Sequence, residues 1–177
     1  MKVICFGDSN TFGYDPRSRL GGRYGAESRW VDLLAAETGW TVCNMGENGR
    51  EIPAALPVFP PDTDLLLLML GTNDLLQGRS PEQAAEKLRR LLSAPPLDRE
   101  KILLIAPPPM APGEWVPGQT LVDASRDFAR RCRALAGGLG LRFADAGDWN
   151  ISLSYDGVHF TAQGHRAFAA GFLEALR

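Results

Sequence analysis

Residues that build metal centres and disulfide frameworks are scarce in this 177-residue sequence, which has two histidines and three cysteines. The cysteines, Cys5, Cys43 and Cys132, are widely spaced and form no CxxC pair or other metal-ligand spacing. Their odd number, and the apolar, strand-like surroundings of Cys5 and Cys43, indicate buried free thiols in a reducing compartment. We therefore expect no metal site and a cytoplasmic location.

An excess of charge of one sign is also lacking, as is any long apolar run. The net charge is −2 with both signs scattered, so there is no basic stripe of the kind that binds nucleic acid. The longest apolar run, at residues 65–70, is far too short to span a bilayer. The N-terminal apolar stretch has no cleavage site of small residues. We expect no nucleic-acid partner, no membrane span and no signal peptide.

The rest of the composition is that of an ordinary globular protein, with 45% hydrophobic and 23% charged residues. The length suits one well-buried core, and no repeat or linker interrupts the chain. We therefore predict a single domain over residues 1–177. Whether the chain forms a homo-oligomer stays open.

Strand-like and helix-like stretches alternate along the chain. Apolar runs bounded by turn residues predict strands at residues 3–6, 40–44, 64–70, 101–106 and 141–144. Helical spacing and end signals predict helices at residues 27–38, between Ser80 and Pro95, from Leu121 to a stop at Gly137-Gly138, and at residues 161–176, with a short helix at Pro53. The alternation implies right-handed βαβ crossovers. We predict an α/β fold, a three-layer α/β/α sandwich around a five-stranded, mainly parallel sheet.

Ligands of such folds bind beyond the C-terminal ends of the strands, so we expect any site to be assembled from the loops there. Ser9 follows the first strand directly, although a lone serine at that place is more often a turn residue. A nucleophilic serine needs a histidine as base and a carboxylate to orient it. Asp156 and His159 are three apart in the last loop, so one turn can bring their side chains together. His165 lies within the last predicted helix and is expected to be structural.

An acyl transfer also needs hydrogen-bond donors for the oxyanion of the tetrahedral intermediate. A glycine N–H can approach a substrate closely, and an asparagine at a strand end can present its amide group. Gly49 and Asn73 lie in two of the loops, and the N–H of Ser9 is a third candidate. These three groups are the predicted oxyanion hole.

The arrangement resembles the four sequence blocks of the SGNH hydrolases, also called GDSL esterases/lipases. The matching blocks, in the family's order, are Gly7-Asp8-Ser9-Asn10, Asn44-x-Gly-x-x-Gly49, Gly71-Thr72-Asn73-Asp74 and Asp156-x-x-His159. The resemblance spans essentially the whole chain and implies the family's SGNH/flavodoxin-like fold. It implies Ser9 as nucleophile, His159 as base and Asp156 as its orienting acid, with an oxyanion hole from Ser9, Gly49 and Asn73.

Two positions depart from the family pattern. Asn10 replaces the leucine of the namesake motif, at a position expected to lie outside the chemistry. Arg50 follows Gly49 where other members often have aspartate or another polar residue. It is a candidate for holding an anionic substrate group, with a structural ion pair to Asp8, Asp15 or Glu47 as the alternative. Loop aromatics complete the candidate substrate-binding set, and they are Tyr14, Trp115 and Phe160; such rings also commonly cover a core edge.

The expected function is hydrolysis of small carboxylic esters through an acyl-serine intermediate, with no cofactor. The substrate is then a small-molecule ester with a short acyl group, for example acetyl, on a water-soluble alcohol. Carbohydrate acetylesterase, thioesterase, lysophospholipase and acyltransferase activities use the same residues and stay open. A binding module that keeps the fold without catalysis is the alternative from a different class.

Overall fold

The computed structural model describes residues 1–18 and 20–176 and has one five-stranded parallel sheet. Its strands are β1 (Lys2–Gly7), β2 (Thr41–Gly46), β3 (Leu65–Met69), β4 (Ile102–Ala106) and β5 (Arg142–Asp145). All four pairings are parallel, and the order across the sheet is β2-β1-β3-β4-β5. The predicted five-stranded α/β architecture is confirmed.

Helices cover both faces of the sheet. They are α1 (Ser9–Phe12), α2 (Trp30–Thr38), α3 (Thr72–Leu76), α4 (Pro81–Ser93), α5 (Gln119–Leu139) and α6 (Ala162–Ala175), with 3-10 turns at Arg99–Lys101 and Ala146–Trp149. Successive strand residues point to opposite faces. Ile4 and Phe6 of β1 therefore pack with α4 and α5, while Val3 and Cys5 pack with α2 and α6. The result is the predicted three-layer sandwich with β3 buried on both faces.

The start of α4 follows from its sequence. Ser80 Oγ accepts a hydrogen bond from the Gln83 backbone N–H, and the Gln83 side-chain oxygen accepts one from the Ser80 N–H. Pro81 occupies the first helical position. This capping box satisfies two backbone donors that the first turn would otherwise leave free. The predicted boundary is therefore confirmed in its atomic detail.

Several boundaries differ from the predictions. Helix α5 runs through Gly137-Gly138 and ends at Gly140, whose φ of +66° is the left-handed conformation that closes a helix. Pro53 starts no helix, and the predicted loops after β1 and β3 each begin with a short helix. Cys43 is exposed because β2 is an edge strand of the sheet.

The sheet order places a crevice beside β1. The chain passes from β1 to β2 on one side and then to β3 on the other, so the strand order reverses there. In open parallel sheets the ligand site lies at such a reversal, beyond the C-terminal strand ends. Ser9 follows β1 and Asn73 follows β3, which brings both to this crevice. No helix in the described part of the chain is long and apolar enough to cross a membrane.

Candidate active site

A tight turn after β1 carries Ser9. Asp8 caps α1 by accepting a hydrogen bond from the Asn10 N–H at 3.0 Å. Gly7 allows this turn because a Cβ at its position would lie 2.2 Å from Thr11 Oγ1 and 2.8 Å from Met69 O. Ser9 is then the first residue of α1 and is only 6% exposed.

Ser9, His159 and Asp156 are brought together by two hydrogen bonds. His159 Nε2 lies 3.0 Å from Ser9 Oγ, and His159 Nδ1 lies 2.7 Å from Asp156 Oδ2. The other oxygen, Asp156 Oδ1, accepts the backbone N–H groups of Val158 and His159 at 2.9 Å each. Both members of the acid–base pair are buried. This is the geometry in which a carboxylate orients an imidazole toward a hydroxyl.

The electrostatics of the pair favour an ionised Asp156. Burial acts to raise the pKa of Asp156, but the hydrogen bonds from the His159 ring and from two backbone N–H groups outweigh it and lower that pKa. Asp156 is therefore a carboxylate at neutral pH. An ionised carboxylate fixes the tautomer of His159 with Nδ1 as the donor, which leaves Nε2 free to accept a proton from Ser9.

A second loop, residues 111–116, holds the acid–base turn in place. Ala111 N–H donates to Gly157 O, and the N–H groups of Glu114 and Trp115 donate to Tyr155 O and Asp156 O. Gly157 has a φ of +79°, and a Cβ there would lie 2.0 Å from Ala111 O. Only glycine fits this close approach, which explains the glycine between Asp156 and His159.

Asn10 joins the nucleophile turn to the histidine loop, a role that the sequence analysis missed. Its amide donates to Val158 O at 3.1 Å and its carbonyl accepts the Phe160 N–H at 2.9 Å. The two bonds flank His159 and are buried. The Asn10 side chain therefore helps to fix the distance between Ser9 and His159, although it was expected to lie outside the chemistry. A lone asparagine after the serine gave no signal of partners 148 and 150 residues away.

The predicted oxyanion donors line the same cleft as Ser9 and His159. The cleft has a volume of about 220 Å³ and is lined by Ser9, Tyr14, Asn48, Gly49, Asn73, Trp115 and His159. Gly49 has a φ of +75°. Asn73 Nδ2 donates to Arg50 O at 3.1 Å, and that amide group has a second hydrogen to offer. Asn48 was not predicted, and its only sequence signal is its place beside Gly49.

Two of the predicted aromatic residues lie against the base. The Tyr14 ring centroid is 4.6 Å from that of His159, and the Trp115 centroid is 4.9 Å away at an interplanar angle of 81°. Trp115 is 46% exposed, so part of its ring faces solvent at the cleft. Both rings form walls beside His159.

The other two predicted substrate-binding residues do not lie in the cleft lining. Phe160 is fully buried and packs on Phe168 and His165 on the α2–α6 side of the sheet. Phe160 therefore belongs to the core rather than to the cleft that the neighbouring His159 lines. The Arg50 guanidinium group is bound to protein acceptors behind the cleft and to Glu47.

The described residues contain no group of three or more histidine, cysteine, aspartate or glutamate side chains that could hold a metal ion. Asp8 is the buried carboxyl group beside the nucleophile, and its Oδ2 has no hydrogen-bond partner among the described residues. Burial raises the pKa of Asp8 to about 6, against the opposing effects of the Asn10 N–H, His159 and Arg50.

Comparison with protein families gave one match. The model described as the GDSL-like lipase/acylhydrolase family matches residues 5–167. A search of the curated proteins gave no match.

Several solved structures similar to this one are named as esterases, and each match covers nearly all of both chains. A protein from Agrobacterium tumefaciens proposed to be an arylesterase is 31% identical with a TM-score of 0.83, and the match covers 99% of this chain and 98% of that one. The aryl esterase of M. smegmatis is 27% identical with a TM-score of 0.79 and coverage of 99% and 98%. A carbohydrate acetylesterase family member from Sinorhizobium meliloti is 27% identical with a TM-score of 0.81 and coverage of 99% and 97%.

Proposed function

The chain belongs to the GDSL-like lipase/acylhydrolase family and is a carboxylic ester hydrolase, and from this premise we propose that it hydrolyses short-acyl esters through an acyl-serine intermediate. The observation that carries the proposal is the continuous pair of hydrogen bonds from Asp156 through His159 to Ser9 at the base of a small cleft. Ligand binding without catalysis does not require a serine hydroxyl that is hydrogen-bonded to an oriented imidazole.

In the proposed mechanism Ser9 Oγ attacks the ester carbonyl while His159 Nε2 accepts its proton. Asp156 stabilises the imidazolium that forms. Collapse of the tetrahedral intermediate expels the alcohol, which takes the proton from Nε2, and leaves the acyl group on Ser9. Water then attacks the acyl-serine with His159 again as base, releasing the carboxylic acid and restoring Ser9.

The negative charge of the tetrahedral intermediate needs donors that are already in place. We assign the backbone N–H groups of Ser9 and Gly49 and the Asn73 amide to this role. Support comes from their common cleft and from the Asn73–Arg50 bond, which fixes the amide plane at the cleft wall.

Replacing Asn73 with alanine should lower kcat by about 10²–10³-fold, because one oxyanion donor contributes that much to acyl transfer. KM should change little, since the bond strengthens only as the oxyanion forms. Initial-rate kinetics with an aryl acetate measure both constants. Gln77→Ala is the matched control, because Gln77 is an exposed amide at the end of the same helix, α3. A near wild-type kcat for Asn73→Ala would remove Asn73 from the hole.

The cleft favours a small acyl group on a ring-bearing alcohol. Its volume of about 220 Å³ is below the roughly 300–1,000 Å³ typical of pockets for larger ligands. Tyr14 and Trp115 stand beside His159, the residue that must reach the leaving oxygen, and aromatic rings stack on planar or ring-shaped groups. The similar structures named as arylesterase and carbohydrate acetylesterase support the same two alcohol classes, phenols and sugars.

A panel of esters tests this proposal. We expect acetates to be hydrolysed faster than butyrates and octanoates, and phenyl or sugar acetates to be preferred to ethyl acetate. Trp115→Leu should lower kcat/KM for phenyl acetate by about 2- to 12-fold, the equivalent of one lost ring contact. Ethyl acetate is the matched control, because its leaving group has no ring to stack. Equal losses for both acetates, or faster turnover of octanoates, would contradict the proposed substrate class.

A further inference from the structure

Arg50 lies directly after Gly49, but its guanidinium group is directed into the protein. It donates to Gly7 O at 2.9 Å and to Met45 O, and it pairs with Glu47 at 2.6 Å. Its carbon Cζ lies 4.2 Å from the Phe6 ring centroid. The side chain is only 18% exposed. These contacts occupy both terminal nitrogens and one face of the group.

The acceptors of Arg50 connect the ends of two neighbouring strands. Gly7 is the last residue of β1, and Met45 lies near the end of β2. Gly7 O also accepts the backbone N–H of Glu47 at 3.1 Å. The loop that contains Gly49 is therefore fastened to the strand that leads into Ser9, two residues before the nucleophile.

The backbone of Arg50 provides a third connection. Its carbonyl accepts the Asn73 Nδ2–H at 3.1 Å, so the residue that follows Gly49 also orients the Asn73 amide. Arg50 thus contacts Asn73 directly, follows Gly49 immediately in the chain, and binds the strand end before Ser9. All three proposed oxyanion donors are linked through it.

A further hydrogen bond holds the segment just after Arg50 in place. Asp74, which is fully buried, accepts the Ile52 N–H at 2.8 Å and pairs with Lys87. The segment is thus anchored on both sides of the Arg50 carbonyl. Gly49 itself is exposed, and a Cβ at its position would meet no atom within 4 Å. Its position therefore depends on the contacts of its neighbours in the chain rather than on packing at Gly49.

Oxyanion donors work only when they are held in position before the charge develops. We propose that Arg50 is a positioning residue that fixes the relative positions of the Ser9, Gly49 and Asn73 hydrogen-bond donors, and that it does not bind substrate. The inference rests on the proposed function, since it takes these three groups as the oxyanion hole. A substrate anion would have to displace Glu47 and the two carbonyl oxygens to reach the guanidinium group.

The test compares Arg50→Met and Arg50→Lys with the wild-type chain on a neutral substrate, phenyl acetate. Arg50→Met should lower kcat by about 10- to 100-fold, the order expected when reacting groups shift by up to 1 Å, with KM within about threefold of wild type. Arg50→Lys should recover part of the loss, because an ammonium group can replace one of the two carbonyl contacts. Arg89→Met is the matched control, since Arg89 is an exposed arginine on α4 that pairs with Glu86.

Three results would overturn the inference. An unchanged kcat in Arg50→Met would show that the three donors keep their relative positions without Arg50. A raised KM with unchanged kcat, most of all for an ester with an anionic acyl group such as monophenyl succinate, would assign Arg50 to substrate binding. A kcat loss that follows the folded fraction, measured by circular dichroism on the same samples, would make its role one of folding only; Arg50→Lys decides the matter if the methionine variant does not fold.

Ser9→Ala in the same assay separates this inference from the proposed function. An inactive Ser9→Ala with wild-type kinetics for Arg50→Met contradicts the inference alone. An active Ser9→Ala contradicts the proposed function itself.

Discussion

Replacing Ser9 with alanine should lower kcat for phenyl acetate by about 10⁴- to 10⁶-fold, the range found when the nucleophile of a triad is removed. The reason is that Asp156, His159 and Ser9 act as a unit, so an oriented base without its hydroxyl has no proton to accept. Residual turnover would come from the oxyanion donors and from binding alone. Initial rates at high enzyme concentration measure the loss.

The fold should survive this substitution. Ser9 is 6% exposed and the change removes one hydrogen bond to His159 Nε2, so we expect the free energy of unfolding to change by about 1 kcal/mol. Ser93→Ala is the matched control, because Ser93 is exposed at the end of α4 and its hydroxyl donates to Arg90 O of the same helix. Turnover by Ser9→Ala within tenfold of wild type would rule out an acyl-serine mechanism.

The intermediate provides a direct check on the same prediction. Mixing the wild-type chain with a slowly deacylating ester should add the mass of one acyl group to the peptide that contains Ser9. The Ser9→Ala variant should remain unmodified under the same conditions. Acylation at another residue would assign the nucleophile elsewhere.

The sequence alone could predict the fold and the central residues because these depend on local patterns. Residues 65–70 are apolar without interruption, which suits a strand buried on both faces, and β3 occupies Leu65–Met69. Ser9 and His159 could be predicted to meet because parallel strands bring their C-terminal loops to one edge. No side-chain geometry is needed for either inference.

The contacts that fix the geometry could not be predicted, because each joins residues far apart in sequence. Nothing around Asn10 indicates that its amide binds the backbone on both sides of His159. The charge of Arg50 suggested either an anionic substrate group or a structural ion pair, and it pairs with Glu47. Its contacts with carbonyl oxygens of β1 and β2 gave no signal in the sequence. The sequence thus predicts the polar residues of the loops as a set, while their individual partners depend on the packed strands.

The second prediction with a large expected effect concerns His165 and the stability of the fold. His165 lies in α6, is fully buried, and has the rings of Tyr24 and Phe160 at centroid distances of 5.3 Å each. Neither ring nitrogen has a hydrogen-bond partner among the described residues. Burial lowers the pKa of His165 to about 3, and the nearby Arg29 and His159 side chains act in the same direction.

A histidine that is kept neutral by folding makes stability depend on pH. The unfolded chain binds a proton at His165 near pH 6.5, whereas the folded chain does so only near its pKa of about 3. Its contribution is therefore complete above pH 6.5 and is lost as the pH falls toward 3. Asp8 acts in the opposite direction, since its pKa is raised to about 6 and its contribution declines as the pH rises from 3.8 to 6.

Comparing wild type with His165→Leu isolates the histidine, because Asp8 is present in both chains. Leucine has a similar volume and no polar atoms, so at pH 7 we expect the variant to lie within about 1.5 kcal/mol of wild type. Between pH 7 and pH 4 the wild type should lose about 3 kcal/mol more than the variant, from the 1.36 kcal/mol that each pKa unit represents. Urea unfolding at both pH values measures the difference. The same loss in both chains would mean that His165 takes up its proton in the folded state, and its ring would then have to reach a polar partner or water.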